Sequence, residues 1–216
     1  MLILKYSRTG SAAFLPHLDV LRQFGRILRR AELKINYSEG FHPHMLFWFG
    51  NPISLGIPSL CDYCAADSPE PPEIFLEKFN RKSVPGIRLL RACKTDKNPN
   101  FADILCAAEY EIVCPDLAER IEEVRKIATD PAFRVSYGAS GREKEAADKL
   151  LLLEAEEKGL RVRLKAGKEN LKADAWARGV LGALGLGASF DLVRTKQFFL
   201  KEGVLADADE LFAAEV

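Results

Sequence analysis

Histidine is scarce in this sequence. Three occur in 216 residues, His17, His42 and His44, and none follows. Chemistry that needs an imidazole near neutral pH is therefore confined to the start of the chain. Long apolar runs are missing, which excludes a helical membrane span. The opening MLILKYSRTG has too short an apolar patch, with charge close behind it, for a secretory signal. A cytoplasmic protein without a membrane partner is expected. Five cysteines at scattered positions, an odd number, do not make a disulfide framework. The lone Cys61-x-x-Cys64 has no second pair. In a strand its odd spacing would point the two sulfurs to opposite faces, so no metal and no cofactor is expected. A P-loop lysine is lacking as well. The late glycines of GVLGALGLGAS, Gly179 to Ser189, follow a helix and precede a strand, the reverse of a dinucleotide-binding loop. They read as a helix end and turn. A glycine-rich loop occupies the equivalent place in tandem ferredoxin-like RNA endonucleases of the CRISPR-processing type, an analogy of fold only.

Net charge is zero, from 31 basic and 31 acidic residues. It is unevenly spread. Residues 1–100 carry a net +5 and residues 101–216 a net −5. A polyanion contact, if there is one, belongs to the first half.

The apolar residues are patterned. LILKYS alternates as a strand. His17 to Glu32 has helical spacing through Leu21, Phe24, Leu28 and Ala31. Met45 to Phe49 and LCDYCAAD read as strands, PPEIFLEKFNRKS as a proline-led helix with Ile74, Phe75, Leu76 and Phe79 inward, and GIRLLRACK as a strand. The order β-α-β-β-α-β is the ferredoxin-like unit. Polar, turn-rich TDKNPNFAD marks a boundary, giving domains 1–97 and 98–216. A similar order then recurs: a long strand ILCAAEYEIVC, a proline-led helix over 115–131, a short strand FRVSY, a loop SYGASGREKEAAD, a hairpin turning near Lys158-Gly159, a helix KENLKADAWARGVLGAL and a strand SFDLVRTKQFFL. The tail DADELFAAEV reads as a short helix or a frayed end. The expected fold class is α+β, with tandem ferredoxin-like domains.

Two constellations stand out in the first domain. His17 and Asp19 open a helix, where they suit an acid–base or phosphate-contacting pair, or where Asp19 simply favours the helix end by charge. His42 and His44 flank Pro43 in the stretch YSEGFHPHMLFWFG, Tyr37 to Gly50. Tyr37, Ser38, Gly40 and Phe41 shape that loop, with Gly40 supplying a positive-φ turn and Phe41 either anchored in the core or stacked on a base. The second strand is expected to run antiparallel to the first. The second strand would then begin at the far edge from His17, so His17 and His42 meet only if the Tyr37–Pro43 loop folds back. The second constellation is a basic helical stripe, Arg22, Arg26, Arg29 and Arg30, whose guanidinium forks match phosphate oxygens.

Five short stretches carry a resemblance: YSRTG, PHLD (Pro16 to Asp19), RILRRA (Arg26 to Ala31), YSEGFHPHM (Tyr37 to Met45) and ISLGIPS (Ile53 to Ser59). The chain resembles the bacterial radical-SAM-associated domain of unknown function, which occurs fused to or encoded beside a cobalamin-binding radical SAM protein. Pro16 stands where that family has serine, and His44 where it commonly has proline. The three-cysteine cluster motif of radical SAM enzymes is not in this chain. The resemblance implies a radical SAM protein as partner. Its usual gene neighbours, ribonuclease G and ribosomal proteins, imply RNA or ribosome modification.

Three readings follow. In the first, the chain is an accessory of a radical SAM enzyme and binds RNA or a ribosomal component through the arginine stripe and the Tyr37–His44 loop. In the second, it is a metal-independent RNA endonuclease with His17 or His42 as general base and arginines stabilising phosphate charge. In the third, it is a protein-interaction module without RNA contact.

Overall fold

A computed structural model describes residues 1–137, 141–187, 189–201 and 203–212. Parts of the expected 136–148 loop, the late glycine run and the tail therefore lie outside the described residues. The chain divides into two compact units. The first is Met1–Leu105 together with Phe199–Val216, and the second is Cys106–Phe198. The helical turn at residues 101–104 and the chain's end thus group with the first unit, whereas the sequence reading divided the chain at 97/98.

The first unit runs β1 (Leu2–Arg8), α1 (His17–Arg30), β2 (Phe47–Phe49), β3 (Ser59–Ala66), α2 (Pro72–Lys82), β4 (Ile87–Lys94) and the short α3 (Phe101–Ile104). Its strands lie in the order β4-β1-β3-β2, every pair antiparallel. Helices follow β1 and β3, so the architecture is α+β. One expectation is corrected here. β1 and β2 run in the same direction, because Leu2 and Phe47 both face Ala66, and Leu4 and Phe49 both face Cys64. A helix between two strands of one sheet returns the chain to its starting end, which makes the flanking strands parallel in sense.

Strand alternation separates two faces. Leu2, Leu4, Tyr6, Cys64, Ala66 and Leu89 point under the helices, where Val20, Phe24, Ile27 and Leu28 of α1 and Phe75 and Phe79 of α2 bury against them. Phe24 sits at the centre, 4.9 Å from Tyr6 and 5.1 Å from Phe79 between ring centroids. Truncating a buried phenylalanine of this kind to alanine costs about 3–5 kcal/mol. Ile74, read as inward, is instead exposed; it neighbours Phe75 but lies off the i, i+4 stripe that Phe75 and Phe79 occupy. On the other face, Tyr63 packs with Phe101, Phe199 and Phe212. Cys64 lies in the helix-side core, while Cys61 has the opposite strand parity, as the odd spacing requires.

The second unit comprises β5 (Leu105–Val113), α4 (Pro115–Glu119), α5 (Ile121–Thr129), β6 (Arg134–Tyr137), β7 (Arg142–Glu145), β8 (Leu150–Glu156), β9 (Gly159–Lys165), α6 (Ala173–Ala183) and β10 (Asp191–Lys201). The order is β10-β5-β9-β8, with β6 and β7 forming a separate two-stranded ribbon. The helix expected over 115–131 breaks at Arg120, whose φ and ψ of −108° and 30° leave the helical region. Its guanidinium binds Glu123 through two nitrogens. Part of the expected loop 136–148 is the strand β7, paired with β6 from Arg134–Glu145 to Tyr137–Arg142. The turn after α6 follows expectation: Gly185 has a φ of 68°, and the Leu186 N–H reaches the Leu181 carbonyl at 2.9 Å. After β10 the chain adds β11 (Val204–Asp207) and α7 (Ala208–Leu211), both in the first unit. No helix among the described residues is long and apolar enough to cross a membrane.

Candidate functional site

At the end of β1, Arg8 turns into the protein rather than out to solvent. It shares the parity of Leu4 and Tyr6, which aims it under the helix layer, and it is 4 % exposed. Its Nη1 donates to the Leu15 carbonyl at 3.0 Å. Across the sheet, Asp62 of β3 stands opposite Tyr6 and is also buried. Asp62 Oδ2 lies 3.6 Å from Arg8 Nε, an ion pair too long to be a hydrogen bond. Asp62 Oδ1 accepts from Ser59 Oγ at 2.5 Å. Among the described residues Arg8 Nε has no hydrogen-bond partner.

His17 begins α1 directly above this pair. Its ring meets the Phe49 edge at 5.9 Å. Burial, and secondarily the Arg8 charge, lower its pKa below the usual histidine value, while Asp62 pulls the other way. The imidazole is therefore neutral at physiological pH and can donate one hydrogen bond and accept one. Tyr6, Arg8, His17, Asn51, Ile53 and Asp62 line a narrow cleft here, with about 20 Å³ of free space, room for about one water. Pro16 stands at the cap position before α1, and no side chain caps the helix start.

The other candidates lie elsewhere. Asp19 is in the first turn of α1 and pairs with Arg22 at 2.7 Å on the surface. Arg22, Arg26, Arg29 and Arg30 are all exposed. Arg30 donates to the Lys82 carbonyl at 3.1 Å. Among the described residues Arg26 and Arg29 have no ion-pair partner. The Tyr37–His44 segment is a small closed loop. Tyr37 bridges Met45, the Ser38 N–H reaches the His44 carbonyl at 2.9 Å, and Ser38 Oγ lies 2.8 Å from His44 Nδ1. Gly40 has a φ of 113°, as the turn requires. Phe41 is fully exposed, so it does not anchor in the core. The loop joins the sheet at the Leu2 end, since Asn36 bonds Asp67 next to Ala66. His17 sits at the Arg8 end, six strand residues or about 20 Å away. His17 and His42 are not brought together.

Sequence reading singled out His17 but not its neighbours Arg8, Ser59 and Asp62. The available signal was parity. Arg8 and Asp62 occupy positions in step with buried apolar residues of their strands, where a charge survives only with a partner. Among the described residues no three His, Cys, Asp or Glu side chains are placed to hold a metal.

Residues 1–172, which include the whole cleft, match a family model described as an uncharacterized protein conserved in bacteria (DUF2344). The chain belongs to this family. A search of curated proteins finds no match. The DUF2344 match spans the first unit through α3 and the second unit as far as β9.

Proposed function

We propose that this chain is an accessory protein of a radical SAM enzyme that holds RNA or a ribosomal component through the outer face of α1. The observation carrying this reading is the arginine stripe: four exposed guanidiniums along one helix, with Arg26 and Arg29 uncommitted among the described residues. A phosphate backbone is the polyanion that such a stripe matches best, since each fork can take two oxygens. The Tyr37–His44 loop, with Phe41 wholly exposed, offers an aromatic face on which a base can stack. The radical SAM partner is supported by the motif resemblance of residues 6–59. We also read both units as ferredoxin-like. In each, the strand order corresponds to 4-1-3-2 of a β-α-β-β-α-β chain, with β5, β8, β9 and β10 taking the four places in the second unit.

The nuclease reading has less support, because the cleft holds one imidazole and the other two histidines lie at the opposite end of the sheet. The test is RNA binding at two salt concentrations, with wild type and an Arg26→Glu/Arg29→Glu variant. The proposal expects binding that weakens steeply with salt and is lost on charge reversal. Salt-independent binding, or binding equal in the variant, overturns it.

A further inference from the structure

The sheet of the first unit ends on β4, and no described strand covers the outer edge of β4. The Thr95 N–H reaches the Met1 carbonyl at 3.1 Å, and Cys93 and Arg91 stand opposite Ile3 and Lys5. In an antiparallel pair the main chain faces its partner at every second residue, so Ala92 and Lys94 turn their N–H and C=O groups outward. A register shift then inserts Leu90, and Leu89 faces outward too. At Leu89 the edge is closed. The Asn80 amide accepts from the Leu89 N–H and donates to the Leu89 carbonyl, both at 2.9 Å, as a neighbouring strand would. Among the described residues nothing does the same for Ala92 and Lys94. Beside this open stretch, Pro72, Glu73 and Leu76 of α2 and Leu90, Ala92 and Lys94 of β4 line a groove with about 470 Å³ of free space. Leu90 is 45 % exposed there.

We propose that the open edge of β4 takes an extended acidic peptide of a partner protein as an added strand, with apolar side chains of that peptide in the α2–β4 groove. Main-chain bonds to Ala92 and Lys94 supply the pairing, and the groove reads alternate side chains. Charge selects the occupant. β4 carries Arg88, Arg91 and Lys94 and no acidic residue, and Glu73 is the one acid on the groove. A second copy of β4 in the same place would gather these basic residues of both chains with no acid between them, which disfavours self-pairing. Acidic side chains opposite Lys94 on the groove face and Arg91 on the other face form favourable cross-strand pairs. An apolar residue opposite Ala92 enters the groove between Leu76 and Leu90. This surface does not involve the α1 arginine stripe and holds whether or not the stripe binds RNA.

The probe is a terminally blocked peptide of about nine residues, a length typical of a strand, with Leu-Thr-Leu at its centre and glutamates on both flanks. Two control peptides carry lysine flanks, or the same side chains with N-methylated central amides. The full chain is followed by NMR hydrogen exchange and by fluorescence anisotropy of the labelled peptide. The acidic peptide is expected to bind saturably and to slow exchange of the Ala92 and Lys94 amides. N-methylation, which removes the main-chain donors, is expected to abolish binding. Lys94→Glu changes an exposed side chain and leaves the fold intact. It is expected to weaken the acidic peptide roughly tenfold and to favour the lysine-flanked one, as reversal of a cross-strand charge pair requires. The proposal is overturned if the peptide leaves both amides unprotected, if the N-methylated peptide binds equally well, or if Lys94→Glu has no effect. It is overturned as well if the free chain already protects these amides in a concentration-dependent way, since a second copy then holds the edge, or if an oligoribonucleotide and not the acidic peptide slows their exchange.

Discussion

Lys5 and Asp209 are 204 positions apart in sequence and 2.5 Å apart in the fold. Lys5 stands on the β1 face away from the helices, between Tyr63 and Arg91 on the neighbouring strands. Asp209, in α7, accepts from Lys5 Nζ and from Tyr63 Oη at 2.9 Å, and Arg91 donates to its carbonyl at 3.2 Å. Through its carboxylate and its backbone carbonyl, Asp209 thus fixes the end of the described chain to three strands of the first unit.

Asp209→Asn should loosen that end. It removes the charge from two hydrogen bonds that reach a largely buried lysine and a buried tyrosine, a loss of about 1–3 kcal/mol. Burial by itself would raise the Asp209 carboxyl. The Lys5 and Tyr63 hydrogen bonds and the Lys5 and Arg91 charges outweigh it and leave the carboxyl below its usual range. The stability it contributes is therefore present above the ordinary carboxylate pKa and is lost as pH falls through the lowered one. Urea unfolding of wild type and variant should show a gap at neutral pH that closes in acid. Equal unfolding midpoints at neutral pH would refute the anchoring role.

Asp62→Asn should cost more. Arg8 and Asp62 are both nearly sealed from water, and removing one partner leaves the other charge uncompensated, typically about 3–5 kcal/mol. The double variant Arg8→Met/Asp62→Leu should recover most of that loss, because apolar groups need no partner. Chemical denaturation of the two single variants and the double variant measures the coupling. A double variant as unstable as Asp62→Asn would show that the loss comes from packing and not from the charge.

The elements of the first unit were largely legible because its strands and helices carry clean periods: alternation in LILKYS, and the Leu21, Phe24, Leu28 and Ala31 spacing in α1, to which the fold adds Val20 and Ile27 in place of Leu21. Strand direction was misread from a pairing assumption, although the intervening helix determines it. The break at Arg120 was hidden because the residues around it, Glu119 and Ile121, are good helix formers, and the Arg120–Glu123 pairing is a tertiary choice that propensity does not encode. The β6–β7 ribbon was missed because REKE has no apolar alternation to announce a strand. At the site, His17 was conspicuous by its rarity. Its partners Arg8 and Asp62 come from strands whose register only the fold reveals.

Two glycines give opposite expectations. At Gly159, which opens β9, an added Cβ would fall 1.8 Å from the Ile112 carbonyl oxygen and 2.9 Å from the Cys114 nitrogen. Both are backbone atoms at the end of the neighbouring β5, which cannot yield, so Gly159→Ala should destabilise the second unit by about 3 kcal/mol or more. Gly182 in α6 has nothing within 4 Å of that position and ordinary helical geometry. Gly182→Ala should stabilise by about 0.5–1 kcal/mol through lower unfolded-state entropy. Thermal unfolding of the pair decides it: similar melting shifts for both would contradict the backbone approach at Gly159.

His17 should make the folded state sensitive to mild acid. The groups facing it are Arg8 on β1, which opposes its protonation, and Asp62 on β3, which favours it; burial and Arg8 prevail, and the folded pKa lies below 6.5. In the unfolded chain the imidazole takes its proton near the ordinary value. Between those two values the unfolded state binds more protons, so stability rises with pH across the window and falls on acidification through it. The carboxylate contribution of Asp209 lies at lower pH and does not overlap. Unfolding midpoints measured from about pH 7 to about pH 5 should decline in wild type and decline less in His17→Asn, which cannot titrate. A wild-type profile as flat as that of His17→Asn would mean that the imidazole is not held beside Arg8 as the fold has it.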